Sequence, residues 1–462
     1  MKFIICLVCS LLCLFVVNAQ SSSKIQVFYA SLDSTSANPV KEYFNKMDTI
    51  KGKRVEIEVL PHFTFQTLEG IGGAFNEIGG EALLSLDEKQ QIELMKNLFA
   101  SENAGFSFCR TAIGASDFGL DAYGYSEVAN DYEMKNFSVA RDQKFVIPYI
   151  KQALNANPAL KIFASPWSPP AWMKKNGQMI GVDYEGSRLK EEVKVYQAYA
   201  KYFSKYIQDY KSNGINIGRI CVQNETDITT NYPNCIMPPE QLLDLANQYI
   251  RPEFKKEKVN AEIYAGTFRI AGDLQMHKYL LLKKANTLDG IGVQYTDSKQ
   301  LLDVQVKYPG YKFMHTEGKC FNGKNSVEQA QSRLEEISGY INANCTNYCY
   351  WNIILNETTE SGWKWKQNSL INIDRSTKKI QYNPDYNVMC LVSKYLKPGD
   401  VRIASTGGSK AIISVIDKQG RIKLIMQNEL DKVGACTIKL NGEKLKFILP
   451  PRAIAAVIIN KN

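Results

Sequence analysis

Short apolar or β-branched runs closed by Gly, Pro, Asn, Asp or Glu recur eight times along the middle of the chain, with helical periodicity between them. They are Gln66–Phe75, Phe106–Ile113, Lys161–Pro166, Gly218–Gln223, Ala261–Gly266, Gly290–Tyr295, Tyr311–Thr316 and Tyr348–Ile353. Among the intervening segments, Ser85-Leu86-Asp87-Glu88 offers a capping box ahead of Ile92, Met95, Leu98 and Phe99. Val195, Tyr199, Tyr202, Phe203, Tyr206 and Tyr210 share one helical face, a stripe that reads as core and not as a ligand platform. Strands alternating with helices in this way predict an α/β fold, a (β/α)8 TIM barrel. Its chemistry belongs at the C-terminal ends of the strands, where each run closes.

After Pro398-Gly399 the pattern changes to strand and turn: Ala411–Ile416, Gly420–Met426, Ala435–Leu440, the Asn441-Gly442 turn, Leu445–Leu449 and Ala453–Ile459. This predicts a side β-sandwich. Lys24–Ala30 and Arg54–Leu60 precede the first barrel strand and are expected to join it, so that both chain termini build one domain. The expected division is residues 1–19 as a signal peptide, 20–61 as N-terminal strands of the sandwich, 62–397 as the barrel and 398–462 as the C-terminal sandwich. The signal peptide reading rests on Lys2, the apolar run Phe3–Val17 and the small residues of Val17-Asn18-Ala19; it implies a secreted or periplasmic protein. No later stretch reaches the roughly 18 uncharged residues of a spanning helix, so no integral membrane segment is expected.

A chain of 462 residues accommodates a barrel with a smaller companion domain. The net charge of +9, from 56 basic and 47 acidic residues, is spread without a Lys/Arg block, which argues against nucleic acid as a partner. With three histidines in all, zinc sites built on several imidazoles lack their raw material; no metal and no cofactor is expected. Eight cysteines follow the leader, a thin set compatible with one or two bridges that the sequence does not assign. Gly318–Asn325 nearly spells a phosphate-binding loop, but Asn325 stands where a metal-binding hydroxyl is needed.

Two predicted strand ends carry chemistry. The fourth closes in Val222-Gln223-Asn224-Glu225 and the seventh in His315-Thr316-Glu317-Gly318, so each brings one carboxylate to the barrel mouth. Glycosidases need such a pair, because an oxocarbenium-like transition state requires a protonated acid at the leaving oxygen and an anion beneath the anomeric carbon. Asn224, next to one of them, is placed to hold the neighbouring hydroxyl. Aromatic residues gather at the other strand ends: Trp167 and Trp172, Tyr295, Trp351, and Trp363-Lys364-Trp365. Sugar rings stack on such surfaces, although Trp172 and Trp365 serve equally well as rim packing. Arg110 and Asp117 are candidates for fixing hydroxyls or positioning the carboxylates, or for a plain ion pair.

These residues fall into long motifs. Gln66–Phe75, Cys109-Arg110 with Ile113–Phe118, Ala164–Gly177, Gln223-Asn224-Glu225, Tyr232–Cys235, Thr316-Glu317-Gly318, Trp351-Asn352, Gln367-Asn368-Ser369 and Ser393–Gly399 occur in an order that resembles glycoside hydrolase family 30. That family contains lysosomal-type glucosylceramidases and microbial β-1,6-glucanases. The resemblance implies retaining hydrolysis with Glu225 as acid/base and Glu317 as nucleophile. It implies a sugar subsite lined by Asp117, Trp167, Asn224, Tyr295 and Trp351, with Arg110 and Asn368 as further substrate contacts. The chain departs from the family at Thr226, where Pro is usual, at Val293, where many relatives carry His, and at Asn76-Glu77 in place of Thr-Asp. The expected protein is a secreted retaining hydrolase of β-glucosidic bonds acting by double displacement, with β-1,6-glucan or a glucosylceramide-type glucoside as substrate. The alternatives are a β-xylosidase or β-fucosidase of the same family, and a catalytically inert carbohydrate-binding protein on the same scaffold.

Overall fold

The computed structural model describes residues 25–43, 54–269, 287–408 and 411–460. The signal peptide reading therefore lies outside the described residues. Eight parallel strands form the barrel: Gly70–Phe75, Phe108–Ile113, Lys161–Pro166, Ile217–Cys221, Glu262–Arg269, Gly290–Gln294, Phe313–Glu317 and Asn347–Asn352. The first pairs with both the second and the eighth. It lies so close to the second that a Cβ on Gly72 would sit 2.3 Å from the Phe108 carbonyl oxygen. Only glycine allows that approach.

Between the seventh and eighth strands the closure is made largely by side chains. The Asn347 amide accepts from the His315 N–H at 3.1 Å and donates to the His315 carbonyl at 2.8 Å. His315 Nδ1 accepts from the Cys349 N–H at 3.2 Å, and the Gly318 N–H bonds the Cys349 carbonyl at 2.8 Å. One buried amide thus stands in for ladder bonds directly beneath Glu317, satisfying backbone groups that burial would otherwise leave unpaired.

The helix Glu88–Phe99 begins two residues later than the predicted capping box: Asp87 is its N-cap, accepting from the Gln90 N–H at 2.8 Å, whereas the Ser85 hydroxyl bonds back to the Ala82 carbonyl. Its core face is Leu94, Met95, Leu98 and Phe99, while Ile92 is exposed. The aromatic stripe of the helix Val193–Ser212 is buried throughout, as core. Tyr210 donates to Asp142, a buried carboxylate that also accepts from Tyr123 and Tyr125 in the chain leading from the second strand.

The second sheet has the order Glu443–Leu449, Gly434–Leu440, Arg54–Thr67, Val401–Gly407, Ile412–Ile416, Ile422–Gln427, Ala453–Ile459, Ile25–Ser31 and Val40–Glu42. It folds over a core that includes Val27, Ile57, Val59, Ile403, Leu424, Ile438, Phe447 and Val457. Ile25–Ser31 runs antiparallel to Ala453–Ile459 with Ile25 opposite Ile459, so the termini do build one sandwich. Asn441 and Gly442 both have positive φ, as a two-residue hairpin turn requires. Arg54–Thr67 is a single strand that continues through residue 61 and takes in Gln66 and Thr67, so the first barrel strand starts only at Gly70. Its long partner, Val401–Gly407, is a strand the apolar pattern missed.

Lys423, which donates to the Tyr395 carbonyl at 3.2 Å, and the Asn387 bonds to the Leu32 and Ser34 carbonyls fasten sandwich to barrel. All eight cysteines from Cys109 to Cys436 are free and buried, so neither of the conceivable bridges forms. Among the described residues no helix is long and apolar enough to cross a membrane.

Candidate active site

Glu225 follows the fourth strand and Glu317 ends the seventh, and both are buried at the barrel mouth. Their neighbours differ. Glu317 Oε2 accepts from Arg110 Nη1 at 2.8 Å and lies 3.3 Å from Gln294 Nε2, while Oε1 accepts from the Tyr295 hydroxyl. Glu225 has as its nearest cation Arg269, whose Nε lies 3.8 Å from Oε1. Donors therefore converge on Glu317 and are sparse at Glu225.

Arg110 is fully buried and its guanidinium is spoken for on every side. It donates to Ser165 Oγ at 2.7 and 3.1 Å, to the Thr316 carbonyl at 3.1 Å and to Asn224 Oδ1 at 2.7 Å. Trp167 and Trp351 stack on each other with ring centroids 5.0 Å apart, and the Arg110 guanidinium carbon is 4.5 and 5.3 Å from their rings. Its ion-pair partner is Glu317, not Asp117. Asn224 Oδ1 also accepts from the Thr267 hydroxyl at 2.7 Å. With that oxygen occupied the amide orientation is set, which leaves its N–H groups for a ligand hydroxyl.

Burial makes three clustered carboxylates costly, and the protons follow from that. Desolvation and then the Glu317 charge raise Glu225 to about 8. Asp117 is pushed far above the usual carboxylate range by burial and by both glutamates. Glu317 is raised by burial too, but Arg110, Tyr295 and Gln294 all oppose the shift. Arg110, the buried cation of the cluster, is ion-paired with Glu317, which favours the anion there over its neighbours. The Trp351 indole N–H faces the Asp117 carboxyl and, with Arg110, partly offsets its upward shift. Glu225 and Tyr295 both adopt positive φ, at 40° and 52°, a strained backbone that the surrounding barrel holds in place.

The structure thus brings Arg110, Asp117, Trp167, Asn224, Glu225, Tyr295, Glu317 and Trp351 together. Asn368 stands apart: its Nδ2 donates to Gln329 at 2.6 Å and its Oδ1 accepts from the Asn325 N–H, so its side chain ties its own loop to the segment before the helix Val327–Asn342. Trp172 packs on the rim, with Nε1 on the Ser126 carbonyl and the ring edge-on to Tyr132. Trp365 is 41% exposed and Phe321, 5.7 Å from the Tyr295 ring, is 44% exposed. Gln294, Thr267, Ser165, Asp227 and Arg269 were not singled out from the sequence. The fifth strand reads as stopping at Gly266, yet it runs on to Arg269. That glycine is required by packing, since a Cβ there would lie 2.5 Å from Thr226 Cγ2. Reading the strand through it would have put Thr267 and Arg269 at the mouth.

The chain is similar to several known proteins. The Caenorhabditis elegans protein named Putative glucosylceramidase 3 is 27% identical over 96% of this chain and 89% of its own length. The Trichoderma harzianum Endo-1,6-beta-D-glucanase BGN16.3 is 31% identical over 43% of each chain. Among solved structures, SrfJ from Salmonella typhimurium superposes with a TM-score of 0.85 at 22% identity, over 95% of this chain and all of that one. The endo-beta1,6-glucanase BT3312 does so with 0.82 at 24% identity and the same coverage. Residues 68–396 match the model of the Glycosyl hydrolase family 30 TIM-barrel domain. That span begins in the turn before the first barrel strand and ends just after the helix Pro384–Tyr395 that follows the eighth. The chain is a glycoside hydrolase and belongs to glycosyl hydrolase family 30.

Proposed function

We propose that the chain is a retaining β-glucosidase-type hydrolase in which Glu225 is the acid/base and Glu317 the nucleophile. The observation that carries this reading is the unequal surroundings of the two carboxylates: Arg110, Tyr295 and Gln294 hold Glu317 as an anion, while burial keeps the proton on Glu225. Glu317 attacks the anomeric carbon as Glu225 protonates the leaving oxygen. Glu225, now ionised, then takes a proton from the water that opens the glycosyl-enzyme ester. Asn224 steadies the hydroxyl beside the reacting carbon, and the Trp167 and Trp351 indoles wall the sugar. Retention demands that the carboxyls stand about 5–5.5 Å apart, with no room for water beneath the sugar. Proton NMR of the first product should show the β-anomer; an α-anomer would overturn the double displacement.

The relatives divide between glucosylceramidases and β-1,6-glucanases. We place β-1,6-glucan ahead of glucosylceramide, because lipid docking calls for an amphipathic or strongly apolar surface segment and the sequence shows none. In a screen over β-1,6-glucan, β-1,3-glucan, xylan and detergent-dispersed glucosylceramide, with aryl β-glucoside, β-xyloside and β-fucoside reporters, β-1,6-glucan should turn over fastest. Faster cleavage of glucosylceramide would reverse the ranking. Preference for the xyloside or fucoside would move the −1 specificity, and no hydrolysis at all would leave a sugar-binding protein.

A further inference from the structure

The two glutamates each have an arginine, and the arginines are used differently. Arg110 is 2.8 Å from Glu317 and has no other carboxylate in salt-bridge contact among the described residues. Arg269, at the end of the fifth strand, lies 3.8 Å from Glu225 through Nε and 3.4 Å from Asp227 Oδ2 through Nη2. Asp227 is two residues beyond Glu225 on the same loop, largely buried, and its Oδ1 has no hydrogen-bond partner among the described residues. It follows Thr226, where the resemblance to the family breaks. The other titratable groups facing Glu225 are Glu317 from the seventh strand, Asp117 from the loop after the second, Tyr295 from the end of the sixth and Tyr232 from its own loop. All of these are acids, so Arg269 is the cation beside Glu225 among the described residues, and Asp227 divides its charge.

We propose that Asp227 and Arg269 are positioning residues whose shared ion pair sets when the acid/base Glu225 gives up and regains its proton. The proposal rests on the reading of Glu225 as acid/base. Before the sugar leaves, Glu225 must hold a proton beside the Glu317 anion. A full-strength arginine in contact would loosen the hold on that proton, and Asp227 weakens the pull. Once the glycosyl-enzyme forms, Glu317 is an ester and its charge is gone. Glu225 has passed its proton to the leaving oxygen, and Arg269 then stabilises the carboxylate that accepts a proton from water. The bridge serves both halves of the cycle because its two charges act on Glu225 with opposite signs.

The test is the basic limb of kcat/KM against pH, which reports the acid in the free enzyme, on an aryl β-glucoside with a poor leaving group. Arg269→Gln removes the cation, so Glu225 keeps its proton longer and the limb should move to higher pH. Asp227→Asn removes the anion that shares Arg269 with Glu225, and the limb should move to lower pH. Because Arg269 is 30% exposed, each shift is expected to be about 0.5–1 pH unit. Arg269→Lys, which keeps the charge, should move the limb less than Arg269→Gln. A general structural lesion lowers the rate without moving the limb in opposite directions. If one variant fails to fold, the other decides by its own sign. Limbs that stay in place, or both move the same way, overturn the proposal. A wild-type limb that persists unchanged in Glu225→Gln overturns the acid/base reading instead, so the two failures are distinguishable.

Discussion

Glu317→Ala is expected to abolish turnover on every substrate, with good or poor leaving group alike, because no glycosyl-enzyme can form without the attacking carboxylate. A loss of at least about 10⁵-fold in kcat is the scale on which covalent enzymes respond to removal of the nucleophile. The alanine variant also leaves the fully buried Arg110 without its carboxylate, so it is expected to be destabilised as well. Glu317→Gln separates the two effects. Its amide oxygen still accepts from Arg110 or Tyr295, so it should fold with near wild-type thermal stability and remain inactive. Turnover of an activated aryl β-glucoside by Glu317→Gln above about 1% of wild type would remove Glu317 from the nucleophile's role.

Glu225→Ala should behave differently, because protonating the leaving oxygen matters only when that oxygen leaves badly. On natural glucan or a poor aryl leaving group the loss is expected to be roughly 10²–10⁴-fold. On an activated aryl glucoside glycosylation should persist, and the intermediate should accumulate on Glu317, visible by mass spectrometry of the trapped peptide. Azide should then restore turnover and yield a β-glycosyl azide, since a small anion attacks the ester without base assistance. The wild-type profile should fall on its basic side near pH 8, where Glu225 loses its proton, and that limb should vanish in this variant. Equal losses on activated and natural substrates, with no azide product, would mean the roles are assigned wrongly.

Much of this was legible in the residues because it is local. Strand and helix periodicity repeat within a few positions, so eight runs and their ends are visible, and with them the placing of Glu225 and Glu317 at one mouth. The places where reading failed are those where tertiary packing overrides local pattern. Gly266 looks like a strand terminator, but Thr226 on the loop after the neighbouring strand leaves no room for a Cβ there. Val401–Gly407 is too polar to read as a strand, and becomes one by pairing with Arg54–Thr67. Asn368 sits in a motif shared with the family, and a motif does not say which way a side chain points; here it points into the loops.

The sequence by itself determined the alternation of strands and helices, the sandwich drawn from both ends, and which two strands end in catalytic-type carboxylates. Each follows from the backbone periods and from side-chain chemistry at fixed offsets. Only the tertiary structure decided where the protons and charges rest. Arg110 and Glu317 are 207 residues apart and meet because the barrel closes, in part through the Asn347 amide at its seam. Burial and a neighbouring anion raise the proton affinity of Glu225, and desolvation is a property of the packed interior that no single segment carries.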